Sequence, residues 1–322
     1  MTRRPAFLLF VWVGMAVGQN VAPAQNVAIV PRVPPHSQSV LPQPLLRVDS
    51  ALVLIPAHVS HAWGDPVTGL TAGSFHVFED DVEQTVASFS SEDAPVSIGL
   101  LFDASGSMRN KMDKACEAAA AFFRTANADD EFFLVEFAGR VKISVPLTYN
   151  ANELYERITH IKPSGQTPLF DAIHTALKQM KGAHNSRKAL VILSDGGDNW
   201  STHTFHQIRE ALIESDAQVY AMGIFDDAEA NPHRAPEEVR GPSILEDLTS
   251  QTGGRLFTVD DLEDLPRIAT RISRELRAQY VLGYYPKNTA HDGKYRRVKV
   301  TVTGELPGVR VYYRTGYYAP KE

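Results

Sequence analysis

The chain has 322 residues, 43% of them hydrophobic and 22% charged, with a formal net charge of −6. That length supports one large core or two modest ones, and the composition argues against long-range disorder and against a bundle of membrane spans. An acidic balance without a basic run makes nucleic acid and anionic membrane poor partners, because both demand a positive surface.

Residues 1–24 read as a secretory signal peptide. Arg3 and Arg4 supply a positive start, 5–18 is a nearly unbroken apolar run, and Ala22-Pro23-Ala24 offers small residues for cleavage after Ala24. The apolar run is short for a bilayer span, which disfavours the competing reading of an uncleaved anchor. The mature protein is therefore expected to be secreted or periplasmic, with no membrane attachment after cleavage. The single cysteine, Cys116, rules out a disulfide within the chain, and no cysteine stands at the cleavage site to take a lipid. Cys116 sits among alanines at helical spacing and reads as a buried structural thiol. Residues 25–44, rich in Pro, Gln, Ser and Val without periodicity, read as a flexible linker.

From 45 to 94 the texture is all strand. β-Branched and alternating positions fill 51–60, 75–78 and 85–89, while Gly64-Asp65-Pro66, Ala72-Gly73 and Glu79-Asp80-Asp81 punctuate them as turns. The texture changes at Pro95. The continuous apolar run 96–102 suits a strand buried on both faces, and Met112, Cys116, Ala119 and Phe123 then recur at helical spacing. Further strands are expected at 132–137, 141–145, 190–193, 219–224 and 255–258. Helices are expected at 151–161, 168–180, 205–214, 245–249 and from 262 to about 277. Such alternation over 95–278 predicts a doubly wound α/β domain with a mostly parallel sheet. Residues 279–322 revert to aromatic and β-branched strands, too few to bury a core alone. They are expected to pair with the strands before Pro95 in one small β-sandwich that holds the α/β domain as an insertion.

Ligands of an open α/β sheet bind at the carboxyl ends of its strands. Two such ends carry Asp103-Ala104-Ser105-Gly106-Ser107 and Ser194-Asp195-Gly196-Gly197-Asp198, and the loop Gly165-Gln166-Thr167-Pro168 enters a helix nearby. Two serines at alternate positions can turn their hydroxyls one way, with Gly106 clearing a close approach. Thr167 can add a third neutral oxygen, while Asp103 and Asp195 bring negative charge from two strands. Oxygen-only ligation suits a hard cation such as Mg²⁺.

In these residues the chain resembles the von Willebrand factor A family and its metal-ion-dependent adhesion site. The Asp-x-Ser-x-Ser signature stands intact as Asp103, Ser105 and Ser107, with Thr167 and Asp195 matching the separate threonine and later aspartate. The resemblance implies direct ligation by the hydroxyls, aspartates acting through bound water, and an Asp or Glu of a protein partner completing the octahedron. Largely neutral ligands leave the ion electron-poor, so an incoming carboxylate gains more there than at a carboxylate-saturated site. Mg²⁺ is the first expectation, with Ca²⁺ and Mn²⁺ left open. Beyond the linker, the chain is also similar to bacterial proteins described as containing a VWFA-related domain. The likeness runs through Phe75-His76-Val77-Phe78-Glu79-Asp80, Leu100-Leu101-Phe102-Asp103-Ala104-Ser105-Gly106-Ser107-Met108 and Leu282-Gly283-Tyr284-Tyr285-Pro286. Asp81 departs from that group, which usually has glycine there, and this questions the tightness of one hairpin.

The expected function is thus non-catalytic adhesion or scaffolding outside the cytoplasm. One alternative is an assembly component of an envelope complex whose metal serves stability alone. A phosphotransfer enzyme using Asp103 as nucleophile fares worse, because the haloacid-dehalogenase pattern needs a second aspartate where Ser105 stands. Ser105 lacks the Gly-x-Ser-x-Gly context of a hydrolase. His203 and His206 lack a third zinc ligand and read as surface residues. Asp198 reads as a solvated turn residue, and Tyr280, Tyr284, Tyr285, Tyr312, Tyr313, Tyr317 and Tyr318 read as sandwich packing rather than a carbohydrate platform. The acidic residues Asp260, Asp261, Glu263 and Asp264 suit a helix start.

Overall fold

The computed structural model describes residues 52–61, 64–91, 93–225, 236–303 and 308–321. The expected signal peptide and linker lie outside the described residues. Chain order begins with β1 (Val53–His61), β2 (Phe75–Glu79), β3 (Val82–Gln84) and β4 (Val86–Ser90). An alternating region follows: β5 (Val96–Asp103), α1 (Met112–Phe123), β6 (Glu131–Ala138), β7 (Arg140–Thr148), α2 (Ala151–Ile158) and α3 (Leu169–Met180). It continues through β8 (Arg187–Ser194), α4 (Phe205–Glu214), β9 (Ala217–Gly223), α5 (Pro236–Gln251), β10 (Leu256–Thr258) and α6 (Leu265–Arg277). The chain closes with β11 (Gln279–Tyr284), β12 (Tyr295–Val302), β13 (Val309–Tyr313) and β14 (Gly316–Tyr318).

All eight residues of β5 are buried, because helices cover both faces of its sheet. Ile98, Leu100 and Phe102 point into the layer of α1, α2 and α6, whereas Leu101 points into the layer of α3, α4 and α5. Gly99 shares this second face, and a Cβ there would lie 2.2 Å from the Phe133 ring, so the ring fills the space a side chain would occupy. Strand order is β10-β9-β8-β5-β6-β7, parallel except for the edge strand β7, which forms an antiparallel hairpin with β6. The chain leaves β5 for β6 on one side and later returns to β8 on the other. β5 is therefore the switch point of a doubly wound sheet.

The flanking sandwich is present as two antiparallel four-stranded sheets, β13-β1-β11-β4 and β14-β12-β2-β3. Ile55, Ala57, Val59, Phe75, Tyr280 and Leu282 belong to the core between them. The chain exits this sandwich after β4 and re-enters at β11, and those two strands pair through Ser90 and Val281. An insertion between hydrogen-bonded neighbours explains how a whole α/β domain can interrupt one sheet without breaking it.

Four local expectations are corrected. The short helix expected at 245–249 is the end of α5, which runs through Pro242; an interior proline, which removes one donor, disguised its length. The last helix opens with a 3₁₀ turn at Leu262–Asp264, where the Asp261 side chain accepts from the Glu263 N–H at 3.0 Å. Cys116 is half-buried rather than buried. The Glu79-Asp80-Asp81 turn is tight without glycine: Asp80 and Asp81 adopt φ of 47° and 66°, and the Asp80 carboxylate accepts from the Arg297 N–H at 2.9 Å.

Helix α6 ties the two parts together. Its apolar stripe of Leu265, Ile268, Ala269, Ile272 and Leu276 faces the sheet. Its fully buried Glu275 meets Arg255, Arg271 (3.3 Å) and, from the sandwich, His58 (3.9 Å). Arg255 also donates to the Tyr312 hydroxyl at 2.9 Å. Burial, opposed by a hydrogen bond to the Ala278 carbonyl and aided by the Arg255 and Arg271 charges, holds His58 down at a pKa of about 4.

Candidate metal centre

Asp103 terminates β5 with no exposed surface. One carboxylate oxygen accepts from the Ser105 N–H at 2.9 Å, and the other accepts from the Ser194 hydroxyl at 2.6 Å. Ser194 ends β8, and its oxygen accepts in turn from the Gly196 N–H at 3.0 Å. The carboxylate thus clamps the ends of two adjacent strands. After it, the chain turns through a 3₁₀ segment at Gly106–Met108, pinned by the fully buried Met108. This turn sets the Ser105 and Ser107 hydroxyls 3.0 Å apart, with Ser105 buried and Ser107 exposed.

The Thr167 loop is laced to this turn by backbone. Gly106 N–H donates to the Gly165 carbonyl at 3.0 Å, and Ser164 N–H donates to the Ala104 carbonyl at 2.8 Å. A close approach does need glycine here, but chiefly not at Gly106, where an added Cβ would make ordinary contact at 3.5 Å. It needs Gly165, whose φ is +80° and whose Cβ would lie 3.3 Å from the Gly139 nitrogen. The third loop is held by Asn199, whose side chain accepts from the Thr167 N–H at 2.9 Å while its own N–H donates to the Thr167 carbonyl at 3.2 Å. Thr167 and Asp195 are both buried, and Asp195 accepts from the Gly197 N–H at 3.3 Å. All five residues singled out in the sequence therefore lie on three mutually bonded loops at the switch point.

Electrostatics test whether a cation suits this set. Burial, and then the negative charge of Asp195, push the Asp103 carboxyl up to a pKa of about 7, against the hydrogen bonds from Ser105 and Ser194. Among the described residues no Lys, Arg or His forms an ion pair with Asp103 or Asp195. Two buried carboxylates that repel each other beside three hydroxyl-bearing residues fit a hard divalent ion, which would supply the missing positive charge.

Ser194 and Asn199 had no assigned role in the sequence reading. For Ser194 a signal existed: a serine closing an otherwise apolar buried strand must find a polar partner. Asp198 is no solvated turn residue. It is half-buried and accepts from the Phe170 N–H at 3.1 Å and the Ser201 hydroxyl at 2.5 Å, capping the start of α3, and burial raises its pKa. His203 is held by Asp171 at 2.6 Å and lies 3.9 Å from the His174 ring, and His206 pairs with Glu210 at 3.2 Å. Among the described residues no group of three or more His, Cys, Asp or Glu side chains could hold a metal.

The family model of the von Willebrand factor type A domain matches residues 98–197, from β5 to the Asp195 loop. This chain carries a von Willebrand factor A domain. The chain is 24% identical, over 188 residues, to an uncharacterised protein of Borreliella burgdorferi, the match covering 52% of this chain and 55% of that one. The chain thus spans about half the length of that curated relative. Among solved structures, a von Willebrand factor type A protein from Catenulispora acidiphila is similar over 85% of this chain and 75% of its own, at 15% identity and a TM-score of 0.49. The vWF domain of the type V pili tip protein Mfa5 from Porphyromonas gingivalis is similar over 56% of this chain and 95% of its own, at 11% identity and a TM-score of 0.47. BatB from Bacteroides thetaiotaomicron, a conserved hypothetical protein, is similar over 56% and 98%, at 18% identity and a TM-score of 0.44.

Proposed function

We propose that the A domain is a non-enzymatic, metal-dependent protein-binding module that works outside the cytoplasm and captures a carboxylate of its partner. The observation that carries this reading is the unneutralised pair Asp103 and Asp195 set beside Ser105, Ser107 and Thr167. Ser105, Ser107 and Thr167 would ligate the ion directly, while Asp103 and Asp195 would hold its water shell and balance its charge. A bound Mg²⁺ would supply an electrophilic coordination position suited to an Asp or Glu side chain. The chain's own part is to hold its hydroxyls in place. The Ser105–Ser107 contact, the Asn199 bridge and the Asp103–Ser194 clamp do so. The extracytoplasmic placement is supported by the charged start, apolar run and small-residue cleavage site of residues 1–24. Among the described residues no helix is long and apolar enough to cross a membrane.

The test is thermal melting with Mg²⁺ or Mn²⁺ added to wild type, Asp103→Ala and Ser107→Ala. A ligand that binds the native state raises its apparent stability, so wild type should gain and the variants should not. Ser107 is exposed, so its variant keeps the fold and isolates the effect on the ion. Equal gains in all three proteins would sink the site.

A further inference from the structure

Beside the metal centre, on its α2 side, lies a cavity of about 340 Å³. Ala104 and Ser164 line it, and these belong to the loops that bear Ser105 and Thr167. Arg140, Lys142, His160 and Lys162 line it too, all four exposed. The two sites share a wall, because Ala104 stands between Asp103 and Ser105, and Gly139, next to Arg140, packs on Gly165.

The charge here has the opposite sign to that of the molecule, whose formal net charge is −6. The one carboxylate in the cavity wall, Glu136, is already committed to Arg157, through contacts of 2.5 and 2.8 Å. No ion pair among the described residues engages Arg140, Lys142 or Lys162. His160 uses Nδ1 on the Glu156 carbonyl at 2.6 Å. Three uncompensated cations around a concave opening focus a positive potential at the rim of a site that would itself hold a positive ion.

We propose that this cavity is a second anion subsite, which takes acidic side chains neighbouring the carboxylate bound at the metal. The partner segment is accordingly a run of several acids rather than a lone Asp or Glu. This rests on the metal-site reading above. A peptide is favoured over a sulfated or phosphorylated polymer for two reasons. Two of the three open cations are point-charge lysines, and the Arg157 fork suited to phosphate or sulfate is closed by Glu136, which leaves Arg140 as the single open fork in the wall. The remaining surface, acidic in sum, repels a long polyanion.

The experiment uses fluorescence anisotropy at low salt on the full chain, with labelled hexaglutamate and a peptide holding one Glu among Gly and Ser. Each is measured with Mg²⁺ and with chelator. Wild type should prefer hexaglutamate by about tenfold, a preference that fades as salt screens it. The exposed double reversal Arg140→Glu with Lys162→Glu should erase that preference and leave Mg²⁺-dependent binding of the single-Glu peptide intact. No preference in wild type, or an undiminished one in the double variant, overturns the subsite even where Mg²⁺ dependence survives. Hexaglutamate binding that ignores chelator yet needs Arg140 and Lys162 supports the cavity and overturns the metal reading. Competition by an oligonucleotide or a sulfated sugar as strong as by unlabelled hexaglutamate overturns the peptide assignment.

Discussion

Replacing Ser194 by alanine tests whether the clamp between β5 and β8 organises the candidate metal centre. The Ser194 hydroxyl donates to Asp103 at 2.6 Å and accepts from the Gly196 N–H at 3.0 Å, in a fully buried position. Alanine removes one oxygen atom, so the cavity created is negligible and polar satisfaction dominates. A hydrogen bond to a charged group contributes about 1.5–3 kcal/mol, and an orphaned buried N–H costs about 1–3 kcal/mol. Part of the loss is recovered wherever Asp103 protonates, so the full effect belongs above the Asp103 pKa of about 7. At pH about 8 without divalent metal, a loss of about 3 kcal/mol is expected. For a domain of this size that corresponds to a fall in Tm of about 6–12 °C. The loss also deprives the Asp103 carboxylate of one bond favouring its charged form, so its pKa should rise further. Circular-dichroism melting of Ser194→Ala against wild type measures the effect, and Asn199→Asp is a useful companion because it keeps an acceptor for Thr167. A Ser194→Ala melt within about 1 °C of wild type at that pH would refute the clamp.

Three further outcomes follow from the structure. Glu275→Ala leaves Arg255 and Arg271 without their shared buried carboxylate, and breaking such a pair costs about 3–5 kcal/mol; urea unfolding should show it, and a midpoint matching wild type would rule the network out as a brace. Asp81→Gly relieves a left-handed residue with φ of 66° but forfeits its pairing with Arg297, so a net gain of about 0.5 kcal/mol is expected by the same method. The Asp103 pKa raised to about 7 sets the pH dependence. Without metal, the native carboxyl keeps a proton that the unfolded one has lost, so this group's contribution to stability falls as pH rises from the unfolded value to about 7 and is flat above. A cation binds the ionised form, so Mg²⁺-induced stabilisation should grow as pH rises through that value, and Asp103→Asn should flatten the trend.

Much of this architecture was legible because burial on both faces leaves a sequence mark. The run 96–102 could only be a central strand, and polar residues crowded at its end, Asp103, Ser105 and Ser107, had to serve something at the sheet's rim. The helix from 262 to about 277 likewise showed in the sequence. α5 did not, since Pro242 and the polar residues around it mimic a loop.

What the chain's residue order decided was the period of each element, and with it the layers and the candidate ligands, because apolar spacing is a local property. What only the tertiary structure decided was which strand ends become neighbours. Ser194 reaches Asp103 across 91 positions of chain, Glu275 gathers Arg255, Arg271 and His58 between the sandwich and the A domain, and Arg140, Lys142 and Lys162 converge beside the loops of Asp103 and Thr167. Those encounters follow from β8 packing against β5 and from the return of β11 to β4, and no local pattern encodes them, since each partner alone is an ordinary polar residue.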